Sequence, residues 1–197
     1  LNKKKKQFLE GEVLLINKPL HWTSFQLVNK LRWLIKKKLG IKKIKVGHAG
    51  TLDPLAEGLL IICTGKKTKE ISAFQNLKKK YQGEITIGAT TPSFDLETSI
   101  DRRFDFSHVN EVDVLNATKK FLGKTLQTPP IYSALKKNGE RLYNLARKNK
   151  SIQITKRIVN IYKFSIQEIQ LPKIKFEIIC SKGTYIRSVA NDLGTEL

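Results

Sequence analysis

Residues 46–65 constrain the chain more than any other stretch: Val46-Gly47-His48-Ala49-Gly50-Thr51-Leu52-Asp53-Pro54-Leu55-Ala56-Glu57-Gly58, then Leu59-Leu60-Ile61-Ile62-Cys63-Thr64-Gly65. Gly47 and Gly50 bracket a tight turn, because glycine reaches positive φ at little cost. Asp53 followed by Pro54 predicts a helix cap with proline in the first helical position. Gly58 then predicts the end of a one-turn helix. Residues 59–64 form an apolar run closed by glycines and read as a buried strand. A carboxylate is thus expected on a stiff turn–helix–strand element. On these grounds alone, Asp53 is a cap and His48 a turn residue.

The flanking chain supplies the other elements. Residues 1–11 are basic and read as loose. Val13-Leu14-Leu15-Ile16 predicts a strand that Asn17-Lys18-Pro19 breaks. Thr23 with Gln26 three residues later matches a capping box. The helix it starts is expected to bury Phe25, Val28, Leu31 and Ile35 and to stop at Gly40. Residues 68–77 predict a helix with Ile71, Phe74 and Leu77 inward, and 81–89 alternate as a strand. A polar loop covers 90–106. Ser107 is expected to cap a helix that buries Val109, Val112, Leu115 and Leu122. Thr128-Pro129-Pro130 breaks the chain, and Tyr143, Leu145 and Ala146 fall in a later amphipathic helix. Strands follow at about 157–170 and 174–181, the second alternating Ile174, Phe176, Ile178 and Cys180. A last helix turns Ile186, Val189, Ala190 and Leu193 inward. Strands and helices mix without regular βαβ alternation, which predicts an α+β fold with a mainly antiparallel sheet flanked by helices. With no internal repeat and no dividing linker, one domain is expected over residues 1–197.

Charge narrows the partner. The 197 residues carry 37 Lys and Arg against 17 Asp and Glu, a formal net charge of +20. Such an excess points to a polyanion, and nucleic acid is the default. Lys36, Lys37, Lys38, Lys42, Lys43 and Lys45 are either a solvated face or an RNA-facing ridge. Cys63 and Cys180 sit in apolar runs and read as core thiols of a reducing compartment. His21, His48 and His108 have no metal-ligand spacing, so no metal is expected. No stretch is apolar enough to span a membrane, and the start lacks a signal core, so a soluble cytoplasmic protein follows. The chain has no Met, so Leu1 is not expected to be the natural start. There is no Gly-x-Ser-x-Gly elbow and no Walker motif. Chemistry therefore falls to polar groups at the ends of apolar elements: Asp53, Tyr81, Tyr185 and Arg187. Taken singly, these are a cap, a strand aromatic, a helix-start aromatic and a surface charge.

Taken together they carry a resemblance. Gly47-His48-Ala49-Gly50-Thr51-Leu52-Asp53-Pro54-Leu55-Ala56-Glu57-Gly58-Leu59-Leu60 looks like the signature of the TruB family of tRNA pseudouridine synthases. Four further segments match in order: Asn17-Lys18-Pro19 with Thr23-Ser24; Lys80-Tyr81; 127–136 with 142–147; and 180–188. The resemblance implies the pseudouridine synthase fold and isomerisation of uridine to pseudouridine at position 55 in the T loop of tRNA. Its substrate is the tRNA T stem-loop, it needs no cofactor, and a monomer is expected. Asp53 would be the catalytic carboxylate and Arg187 its partner in an ion pair. Tyr81 would stack on the target base, His48 would hold the T loop and Tyr185 would line the pocket. Lys18 and Lys136 would contact RNA, and an insertion at about 129–150 would grip it. Ala49 stands where the family usually has Thr or Ser. Thr91-Pro92-Ser93-Phe94-Asp95 replaces the usual Thr-x-Thr-x-Asp, with Thr98 for its terminal Gly. The chain stops at Leu197 where family members continue, so a C-terminal truncation is expected. An RNA-guided synthase subunit and a tRNA-binding module without turnover are the competing readings.

The residue types suit that reaction. The N1–C1′ bond breaks, the uracil turns, and a C5–C1′ bond forms with no redox change. A carboxylate could attack C1′, take the C2′ proton or add to C6. An adjacent arginine favours its ionised form. A base flipped from its loop costs roughly a few kcal/mol, and stacking on an aromatic ring recovers about 1–3 kcal/mol.

Overall fold

The computed structural model describes residues 2–137, 139–147 and 154–197. They divide into two compact units, Leu1–Leu77 and Lys78–Leu197.

The first unit opens with α1 (Asn2–Glu10), β1 (Val13–Lys18) and α2 (Ser24–Leu39). It continues through β2 (Val46–His48), β3 (Gly58–Thr64), a 3-10 turn (Gly65–Glu70) and α3 (Ile71–Asn76). Residues 1–11 read as loose, yet nearly all are helical. Phe8 packs on the core of Leu27, Val28, Ile35, Leu60 and Ile62. Thr64 Oγ1 donates to Phe8 O at 3.0 Å. Gly65 makes that seat possible, since a Cβ there would stand 2.1 Å from Leu9 O. The capping box on α2 is present: Thr23 Oγ1 accepts from Gln26 N, and Gln26 Oε1 accepts from Thr23 N. Gly40 closes the helix in the left-handed region. The inward stripe is Leu27, Val28 and Ile35, with Leu31 half-buried, and Phe25 is 66% exposed. Phe25 falls outside that stripe on the helix surface. The sheet order is β1-β3-β2, all antiparallel, with Val13 opposite Cys63 and Val46 opposite Thr64. In β3, Leu60, Ile62 and Cys63 are buried while Leu59 faces outward.

The second unit runs β4 (Lys79–Thr86), β5 (Ala89–Thr90), β6 (Arg102–Arg103), α4 (Glu111–Lys119) and β7 (Gly123–Gln127). After these come β8 (Lys136–Lys137), β9 (Glu140–Arg141), α5 (Leu142–Arg147), β10 (Arg157–Gln170), β11 (Lys173–Cys180) and α6 (Ile186–Glu196). Its main sheet is β4-β11-β10-β7, antiparallel throughout. In β11 the expected alternation holds: Ile174, Phe176, Ile178 and Cys180 are all buried. Phe164 meets Phe121 and Phe176 edge-on at 6.0 and 5.9 Å, a favoured aromatic geometry. On α6, Val189 and Leu193 are buried, with Ile186 and Ala190 packed beside them.

The structure corrects three expectations. The cap of α4 is Asn110, not Ser107; its side chain accepts from Val112 N and Asp113 N, and Asp113 caps back. Two apolar stripes compete on α4, and the sheet takes Val114 and Ala117, leaving Val112 and Leu115 exposed. Strand β7 had no expected counterpart, since Gly123-Lys124-Thr125-Leu126-Gln127 lacks strong alternation and owes its form to pairing with β10.

Candidate active site

In the first unit, three segments are tied together around Asp53. Strand β2 ends at His48, opposite Ile62, and Ala49 N extends the ladder to Ile61 O at 2.8 Å. Gly50 turns the chain at φ 132°, and His48 Nδ1 hydrogen-bonds its carbonyl. Ser24, the first residue of α2, grips Leu52 from both sides: Oγ accepts from Leu52 N at 3.0 Å and donates to Leu52 O at 3.1 Å. His21 N donates to Pro54 O at 2.8 Å. The one-turn helix expected after Asp53 is not formed; the chain makes a turn instead, closed by Ala56 N on Asp53 O at 3.0 Å. The strand that begins at Gly58 leaves too few residues for a helix.

Lys18 lies beneath this loop. It has 0% exposure, and its ammonium donates to Pro19 O at 2.9 Å and Trp22 O at 2.6 Å. Burial pulls its pKa below the usual lysine value, and attraction from Asp53 and Glu57 works against that. Its two carbonyl contacts hold the 19–22 loop in shape.

In the second unit, Arg187 opens α6. Its Nη1 donates to Ser93 O at 3.0 Å and Nη2 to Tyr132 O at 3.1 Å. Its Nε faces Asp95 Oδ2 at 3.5 Å, an ion pair too long for a good hydrogen bond, with both side chains largely buried. Asp95 Oδ2 is buried and takes no hydrogen bond among the described residues. The loop that presents Asp95 ties itself: Thr91 Oγ1 donates to Asp95 O at 2.6 Å, and the Ser93 and Thr98 hydroxyls meet at 2.6 Å. Thr98, standing where the family usually has Gly, therefore has a structural task. Gln127 clamps the backbone of Tyr185, accepting from its N at 2.8 Å and donating to its O at 3.1 Å. The Arg157 guanidinium lies 5.3 Å from the Tyr185 ring centroid. Tyr81 stands on β4 opposite Ile178, partly buried against the core.

Asp53, His48 and Lys18 therefore belong to one unit, and Tyr81, Tyr185 and Arg187 to the other. Lys136 lies on β8 opposite Arg141, and its side chain is outside the described residues, as is the end of the 129–150 insertion. Asp95 and Gln127 are site neighbours to which sequence reasoning gave no role, although both fall in segments that carry the resemblance. Motif membership was their signal, and it did not say which side chains they would hold. No group of His, Cys, Asp and Glu suited to a metal ion occurs among the described residues. No described helix is long and apolar enough to cross a membrane.

Residues 36–186 match the model of the TruB family pseudouridylate synthase N-terminal domain. The chain belongs to the TruB family. Among curated TruB relatives, it is 58% identical over 189 residues to tRNA pseudouridine synthase B of Flavobacterium johnsoniae, covering 95% of this chain and 82% of that one. To the protein of the same name in Phocaeicola vulgatus it is 52% identical over 190 residues, covering 96% and 81%. Among solved structures, a Cbf5–Nop10–Gar1 complex contains a chain that aligns with TM-score 0.68 and 25% identity over 98% of this chain. An H/ACA RNP bound to a substrate RNA containing 2′-deoxyuridine gives 0.65 and 23%. This chain spans just under half of each of those chains, at 46% and 45%. The α+β pseudouridine synthase fold expected from the motifs is the fold found.

Proposed function

We propose that this TruB-family chain isomerises uridine to pseudouridine in tRNA, at position 55 of the T loop. The observation that carries the reading is the 58% identity over 95% of this chain to a protein named tRNA pseudouridine synthase B, with the Gly47–Asp53–Gly58 segment anchored in place. Asp53 is the catalytic carboxylate and acts at the sugar, where the N1–C1′ bond breaks and the C5–C1′ bond forms. Its anchored turn limits the motion available to a nucleophile, which favours attack from one defined direction. Lys18 keeps a positive charge below that turn and supports the ionised form of Asp53. It does so as a buried group, not as an exposed RNA contact. Tyr81 stacks on the flipped base, and its hydroxyl relays the C5 proton. Arg187, oriented by Asp95, Ser93 and Tyr132, supplies the fixed guanidinium. His48 and Tyr185 contact the RNA, and the 129–150 segment grips it. The protein acts as a monomer in the cytoplasm without a cofactor.

The test is an unmodified tRNA transcript incubated with purified protein alone, with pseudouridine mapped by position. Guide-free product at position 55 is the expected outcome. Product only with an added guide RNA would favour the likeness to the H/ACA assemblies. Binding without product would leave a tRNA-binding module.

A further inference from the structure

The outer face of α2 has a feature that uridine isomerisation does not use. Trp33 is 50% exposed in the middle of the helix, off the stripe of Leu27, Val28 and Ile35 that faces the core. Lys30 and Lys37 lie one turn to either side of it, with ammonium groups 5.1 and 4.8 Å from the ring centroid. Beside the ring runs a groove of about 420 Å³ lined by Asn29, Arg32, Trp33, Lys36, Lys37 and Ile41. Arg32 is its fixed wall, held by Asn29 Oδ1 at 2.8 Å and Val46 O at 3.1 Å. Among the described residues, no carboxylate lines the groove. Like charges gathered this way repel one another, and a polyanion relieves that repulsion.

We propose that this groove is a second RNA contact, with an unpaired tRNA base stacked on Trp33 and its flanking phosphates held by Lys30, Lys36 and Lys37. The inference rests on the tRNA reading above and adds a place to it. An indole offers a flat apolar face that any base can use, and the lysines around it suit the backbone on either side. Its position within the unit separates it from the chemistry. Ser24 grips Leu52, next to Asp53, and Trp33 follows nine residues along the same helix, about 14 Å at the α-helical rise. A nucleotide held there is not the one being isomerised. The contact therefore adds affinity and leaves the chemical step alone.

Three variants test it: Lys30→Gln/Lys36→Gln/Lys37→Gln together, Trp33→Ala and Trp33→Phe, each checked for native thermal unfolding. Binding is measured at several salt concentrations to full-length transcript and to an isolated T stem-loop, beside single-turnover rates at saturating enzyme. The triple variant should weaken binding about tenfold or more and flatten the slope of log affinity against log salt by about 2–3. Trp33→Ala should weaken binding about tenfold, with Trp33→Phe close to wild type. Saturated rates should stay unchanged. Loss on the full-length RNA alone places the contact outside the T arm; equal loss on both places it within. Unchanged affinity and slope in the triple variant would overturn the proposal, and so would equal loss in the Phe and Ala variants, because stacking would then play no part. Binding is read whether or not the wild type makes pseudouridine, so a failure of the function assignment shows separately.

Discussion

Asp53 is held by its neighbours rather than by a helix of its own: Ser24 grips Leu52, His21 holds Pro54, and Ala56 closes the turn. Replacing Asp53 with Asn should leave that scaffold intact. Turnover is expected to vanish while tRNA affinity stays within a few-fold, read by single-turnover assay and filter binding. Arg187 has a different dependence. Two backbone carbonyls hold its guanidinium, and Asp95 supplies the opposing charge. Asp95→Asn should cost about 1–3 kcal/mol in chemical denaturation, short of the about 3–5 kcal/mol for a buried charge with no compensation, because both carbonyls remain. Arg187→Lys keeps the charge but cannot serve two carbonyls and a carboxylate at once, so activity should fall even with Asp95 present.

Strand β11 is the element on which the second unit depends most. It lies between β4 and β10, and its inward residues form the middle of the core. Ile178→Ala should cost about 2–5 kcal/mol, because the cavity opens between two paired strands that cannot collapse into it. Glu177, on the same strand, sets a pH response. Lys80 Nζ at 2.6 Å, Lys163 Nζ at 3.1 Å and Gln82 Nε2 at 3.0 Å hold its carboxyl down to about 2 from an ordinary 4.5. A depressed carboxyl contributes stability above its unfolded value and loses it as pH falls through the folded one. Stability to heat should thus fall as pH drops from about 4.5 to 2, and Glu177→Gln should flatten that part of the profile. In the first unit, Gly65→Ala should unseat α1, since its Cβ would collide with Leu9 O, with lost helical circular dichroism as the readout.

At the scale of the whole molecule, charge governs binding. A surplus of +20 over 197 residues should make tRNA affinity fall steeply with salt, as neutralised phosphates release counterions. Affinity that stays flat from low to physiological salt would mean that most of the lysines only solvate the surface. Trp33 and its lysines are the part of that surplus with a defined geometry.

The amino-acid order alone determined whatever depends on neighbours within a few residues. The Thr23–Gln26 box, the Gly40 stop, the alternation of 174–180 and the Asp53-Pro54 turn are local, because each rests on a bond or a period spanning at most a few residues. The order of the matching segments likewise carried the family. Which of two stripes on α4 faced inward was not local, since Val112 and Val114 are equally apolar and only the opposing sheet chose between them. Strand β7 needed β10, and α1 needed the space left by Gly65. Lys18 shows the same limit most plainly. The resemblance implied an RNA contact for it, and only the packed loop, with carbonyls from Pro19 and Trp22 within reach, made it a buried residue. Tertiary structure decided these because burial and long-range partners are set by elements that come together far from one another in the chain.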